Sequence, residues 1–185
     1  MAMPADFAEL PPRQHEMVVC AISAGLAYEV PVNLMLAVAE QEGGRPGQWI
    51  RNADGSYDVG ALQFNTTYLR QLASYGITPD SVAAPGCFAY RLAAWRLRGH
   101  LRKDGGDLWT RAANYHSRTP RHNARYREQL MRRAWRWSQW LRRQFHTHSI
   151  DDIRPPSPPA DHRIGQRGEA NMAGVRNHGD HPAWP

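Results

Sequence analysis

Long apolar runs are missing from this chain. No stretch approaches the roughly 18 to 20 apolar residues of a membrane-spanning helix. The opening residues, MAMPADFAELPPRQHE, lack a basic n-region and an apolar h-region, so they do not read as a secretory signal as written. Export then needs another route, or a true start upstream of the one given. Cysteine is nearly absent, with Cys20 and Cys87 alone. From that count, two buried free thiols are the simple reading. Internal repeats are absent too, which excludes solenoid and propeller architectures.

What is present suits one ordinary domain. The chain has 185 residues, with seven Trp and seven Tyr to fill a core. Pro and Gly concentrate late, so the folded part is shorter than the chain. The formal charge is +6, which calls for an anionic partner: nucleic acid, a membrane surface, or an acidic polymer such as cell wall.

The periodicity is helical throughout. Met17, Cys20, Ala21, Ala24 and Tyr28 recur at helix spacing over residues 14–28. Pro31 can open the next helix, which runs to Glu42 and stops at Gly43-Gly44, with Pro46 beyond. RNADGSYDVG carries turn chemistry around Asp54-Gly55 and predicts a short hairpin. Helices are also expected over TTYLRQLASYG, with Asn65 or Thr66 as cap, from Cys87 onward with Phe88, Leu92, Trp95 and Gly99 on one face, over DLWTRAANYH, and over residues 122–144. After residue 145 the chain turns to Pro, Gly, His and Arg without period, predicting a disordered tail over 146–185 behind a mainly α domain at 12–145. The tail's five histidines lack ligand spacing, and neither metal nor cofactor is expected.

Two glutamates end the second helix. On a wheel of about 100° per residue with Leu34 at zero, Val38 falls at about 40°, Glu42 at about 80° and Met35 at about 100°. Glu40 falls at about 240°, beside Asn33 at about 260°, on the polar side where solvent accounts for it. Glu42 is flanked by apolar side chains at the negative end of a helix dipole. Both circumstances raise a carboxyl pKa, as a general acid near neutral pH requires. A frayed last turn that lets Glu42 reach water is the plain alternative. Further on, Gly60, Gln63 and Asn65 in YDVGALQFN offer a turn and two amides, and Tyr115 in AANYHSRTP a phenol among apolar neighbours. Taken singly, these read as a turn, caps and core.

Together, AEQEGG, DVGALQFN and AANYHSRTPRHNARY, in this order, resemble the soluble lytic transglycosylase domain. The likeness is to its small members encoded with conjugation, type IV pilus and type III or IV secretion systems. The resemblance implies a lysozyme-like fold, mainly α, with Glu42 as sole catalytic acid and base. It makes Gly60, Gln63 and Asn65 the lining of a sugar groove, Tyr115 the tyrosine facing the carboxyl, and Tyr126 the second tyrosine. It also implies a disulfide between Cys20 and Cys87, fitting an oxidising periplasm. Two departures stand out: Gly43 occupies the position of the usual Ser, and YHSR, with His116 and Arg118, replaces the usual Tyr-Asn-(Ser/Ala)-Gly.

The implied reaction is cleavage of the β-1,4 bond between N-acetylmuramic acid and N-acetylglucosamine in peptidoglycan, with closure of a 1,6-anhydro ring. Asp58 is the one nearby acid able to activate water and make the protein a hydrolytic muramidase; otherwise it braces the turn. From Arg118 to Arg143 there are nine arginines and one acid, Glu128, interleaved with Trp135, Trp137 and Trp140. That helix packs its Trp face and solvates its Arg face, or it meets anionic murein or a membrane surface. A nucleic-acid-binding protein of a mobile element is the rival from another class. A non-catalytic relative that only docks on the wall is a third.

Overall fold

The computed structural model describes residues 10–145. Within them the chain forms α1 (Pro12–Ala27), α2 (Val32–Glu42), β1 (Trp49–Arg51), β2 (Tyr57–Val59), β3 (Phe64–Asn65), α3 (Thr66–Gln71), α4 (Pro79–Ala83), α5 (Phe88–Lys103), α6 (Leu108–Ala113) and α7 (Pro120–Gln144), with a 3₁₀ turn at Ala73–Tyr75. The protein is mainly α with a small sheet, an arrangement compatible with a lysozyme-like fold. The tail expected over 146–185 lies outside the described residues. Among the described residues no helix is long and apolar enough to cross a membrane.

The centre of the domain is α2. Leu34 through Ala39 are all buried, so this helix is apolar around most of its circumference and packs against both α1 and α7. Gly43 caps it in the left-handed conformation at φ +60°, its N–H donating to the Ala39 carbonyl. The long α7 lays Tyr126, Leu130, Ala134, Trp137 and Trp140 inward, as its period predicts. Trp135 is 66% exposed and stands apart from that packed face.

The expected hairpin gains a third strand. β1 and β2 pair antiparallel with Trp49 opposite Val59, and β3 adds to β2 with Asp58 opposite Asn65. A two-residue strand carries too little pattern to announce itself in sequence.

The buried stripe of α5 differs in phase from the expected one. Ala89, Ala93, Leu97 and His100 face inward with Tyr90, Leu92 and Ala94, while Phe88 and Trp95 are 43% and 47% exposed. Small alanines make up much of the buried face, and Phe88 and Trp95 are left outside. Cys87, immediately before α5, is joined to Cys20 of α1 by a disulfide. The free-thiol reading drawn from their number gives way.

Candidate functional site

The end of α2 is built for close approach. A Cβ on Gly44 would lie 2.2 Å from the Gly60 carbonyl oxygen and 2.5 Å from the Gln63 amide nitrogen. Gly60 itself has φ +70°, and a Cβ there would meet the Val82 carbonyl oxygen at 2.5 Å. Glycine at 44 lets the 60–63 turn lie directly against the end of α2, and glycine at 60 lets that turn pack against the Val82-Ala83 backbone of α4. Gln63 holds that turn: it adopts φ +48° and its Nε2 donates to the Gly60 carbonyl at 2.8 Å.

Asn65 is fully engaged within the protein. Its Oδ1 accepts from the Thr67 N–H at 2.8 Å and caps α3, and its Nδ2 donates to Ser56 Oγ and to Asp58 Oδ1 at 3.0 Å. Asp58 thus braces β2 against β3. These two residues shape the wall of the site rather than offer open donors to it.

Glu42 and Tyr126 meet across 84 positions of sequence. The Tyr126 hydroxyl donates to Glu42 Oε1 at 2.6 Å. Glu42 keeps some accessible surface, yet its carboxyl is crowded by protein, and burial pushes its pKa from 4.5 to about 7. The Tyr126 hydrogen bond and the charge of Arg96 oppose that rise, and Asp58 adds to it. The tyrosine phenols stay protonated, since burial first and then the Glu42 charge raise Tyr126, and burial raises Tyr115. Tyr115 is buried, and among the described residues its hydroxyl has no hydrogen-bond partner. The result is a carboxyl poised near neutrality, held by one phenol, with the charge of Glu42 reaching a second.

His116 stacks flat on Tyr126, ring centres 4.8 Å apart. Burial, then the neighbouring His122, lowers its pKa, against the pull of Asp58. Arg118, the other departure in that motif, turns away to Asp104 at 3.0 Å, which also takes His100 Nδ1 at 2.7 Å and Asn114. Arg118 therefore ties the end of α5 to the segment before α7. Gly43 is exposed beside the acid, with its carbonyl accepting from Arg13.

Glu40 departs from expectation. The polar side of α2 faces α7, not water: Glu40 accepts from Arg136 Nη2 and Trp137 Nε1, both at 2.8 Å, with Arg133 at 3.6 Å. Asn33 likewise donates to the Ala134 carbonyl. The two glutamates thus have separate employment, Glu40 binding α2 to α7 and Glu42 facing the tyrosines.

One residue of this cluster escaped the sequence reasoning. Arg96 of α5 lies over the rings of Tyr68 and Tyr115, at 4.3 and 4.7 Å from their centres. Only the observed phase of α5 directs it there, and no local motif marks it. Among the described residues no group of three or more His, Cys, Asp or Glu could hold a metal. A cavity of about 860 Å³ opens beside the same helix end, between the start of α1, Gly43-Gly44 and Trp137. Glu42 is not in its wall. Three of its charged groups are engaged, Arg13 with the Gly43 and Gly44 carbonyls, Glu16 with the Gly86 N–H and Glu40 with α7.

No family profile matches the chain. It is similar to the invasion protein IagB of Salmonella typhimurium (strain LT2), 25% identical over 117 residues that cover 63% of this chain and 72% of the relative. It is likewise similar to the protein IpgF of Shigella flexneri, 27% identical over 122 residues covering 63% of this chain and 80% of that one. Both are distant relatives.

Proposed function

We propose that the protein is a peptidoglycan lytic transglycosylase. The observation that carries this reading is a single carboxyl, Glu42, raised to about 7 and bonded to the Tyr126 hydroxyl, while Asp58 is occupied by Asn65. Glycosidases that use water generally pair two carboxylates. One carboxyl near neutral pH suits a reaction in which the same group gives and then takes a proton.

Glu42, protonated, donates its proton to the glycosidic oxygen between N-acetylmuramic acid and N-acetylglucosamine as the bond to the anomeric carbon breaks. The sugar's own acetamido oxygen steadies the oxocarbenium-like centre. Glu42, now a carboxylate, removes the proton of the C6 hydroxyl, whose oxygen closes the 1,6-anhydro ring. Atoms balance without water. The Tyr126 hydroxyl stabilises the carboxylate during the interval when it is charged. The reaction would take place in the periplasm. The similarity to a protein named for invasion supports a role in opening the wall locally for a secretion or conjugation apparatus.

Mass spectrometry of fragments released from purified sacculi tests the reading, with Glu42→Gln run beside the native protein. Muropeptides one water lighter than hydrolysed products, and absent with the variant, are expected. Products carrying the full water would replace the reading with a muramidase and bring Asp58 forward. No release from the native protein would overturn it.

A further inference from the structure

Every half-buried arginine other than Arg96 among the described residues has a protein acceptor, Arg111 at the Leu101 carbonyl and the rest at acids. Glu29 receives Arg98 and Arg102, Glu40 receives Arg133 and Arg136, Asp104 receives Arg118, and Asp107 receives Arg127. Arg96 is different. It is half-buried, and among the described residues no carboxylate pairs with it and no carbonyl accepts from it. What holds it is aromatic. Tyr68 and Tyr115 lie under the guanidinium, and Phe64 stacks on Tyr68 and meets Tyr115 edge-on at 6.3 Å, so three rings from β3, α3 and the turn after α6 form one frame.

Ring faces satisfy the charge of a guanidinium but not its N–H groups, which form a planar fork of five donors. A fork of that kind matches a carboxylate bidentately. The frame also fixes where the fork stands, because Tyr115 is one of the two phenols that sense Glu42 and Arg96 acts electrostatically on Glu42 and His116. A packing role alone would be served equally by an uncharged side chain between the rings.

We propose that Arg96 is the anion-recognition residue of the Glu42 site, its fork receiving a carboxylate of the substrate while Tyr68 and Tyr115 hold it in place. This rests on the wall-cleaving reading and narrows its substrate to acidic glycan. The carboxylate comes either from the lactyl group of muramic acid or from the peptide stem attached to it.

Titration calorimetry tests this on the full chain carrying Glu42→Gln, so that ligand is not consumed. The ligands are chitotetraose, which is neutral, a peptide-free muramyl glycan with lactyl carboxylates, and the same glycan with peptide stems. With Arg96 present, an acidic glycan should bind about tenfold or more tightly than chitotetraose, and added salt should erode that preference. Arg96→Gln should abolish the preference while leaving chitotetraose binding within about twofold, and Arg96→Lys should restore part of it. Preference for the peptide-free glycan assigns the lactyl group, and preference only for the stem-bearing one assigns the peptide. A preference unchanged in Arg96→Gln overturns the inference, as does chitotetraose binding that falls in step with the others, the mark of a residue that only supports the tyrosines. Absence of any preference with Arg96 present overturns the inference while leaving transglycosylase products from sacculi unaffected. Failure to bind any glycan, together with no release from sacculi, overturns the wall-cleaving reading and this inference with it.

Discussion

Replacing Glu42 by Gln should make the protein more stable, and only above a defined pH. Burial raises the Glu42 pKa from its ordinary 4.5 to about 7. Below pH 4.5 the carboxyl is protonated in both folded and unfolded chains, and the native protein and the Glu42→Gln variant differ little. Between these values the folded state holds a proton that the unfolded state has released, so folded stability falls as pH rises. Above pH 7 both states are ionised and the full penalty of a buried charge remains, about 3 kcal/mol. The amide of the variant carries no such charge, and the Tyr126 hydrogen bond is already included in the carboxyl's net shift. A net gain of about 3 kcal/mol is therefore expected at pH 9, shrinking toward zero at pH 4.5. Urea denaturation of both proteins across this range measures it. An advantage that does not change with pH, or a variant less stable than native at pH 9, would refute the claim that the site strains its own acid.

The remaining expectations concern the groups around that acid. Tyr126→Phe removes a bond that favours the ionised carboxyl, so the Glu42 pKa rises further. The pH–rate profile on sacculi should move upward and the rate fall roughly 10- to 100-fold, the equivalent of about 1.5–3 kcal/mol for a hydrogen bond to a charged group. Glu40→Ala leaves Arg136 and the Trp137 indole N–H without their acceptor. It should cost about 1–3 kcal/mol in denaturation while leaving the pH dependence of cleavage where it was. Replacing Cys20 and Cys87 together by Ser opens a disulfide with 67 positions between its ends. The loss should be about 2–4 kcal/mol, with dithiothreitol lowering the Tm of the native protein toward the variant's and leaving the variant unchanged.

The sequence determined what depends on neighbours within a turn or two. The apolar run Leu34–Ala39 and the glycines after it set α2 and its end, because burial period and left-handed caps are local properties. Asn65 capping α3 and Asp107 capping α6 follow from side chains that reach their own backbone. The distinction between the two glutamates was legible in part: the wheel placed Glu42 on the apolar side, and only the partner of the opposite side was misread. Helix periodicity tells which face differs from which, but not what each face meets.

Tertiary structure decided the rest. Glu40 sits on a polar side that α7 covers, so its partners are Arg136 and Trp137 and not solvent. The phase of α5 went astray because three small alanines on one face pack more closely than Phe88 and Trp95 on another. Close approach rewards shape, which hydrophobicity alone does not encode. With that phase came Arg96, a cation enclosed by rings from three distant segments. The Tyr126–Glu42 bond spans 84 positions. The carboxyl reaches about 7 only because helices brought together by the core exclude water around it. Local chemistry supplied an acid on an apolar stripe, and long-range packing gave it a neutral-pH proton, a phenol and a neighbouring charge.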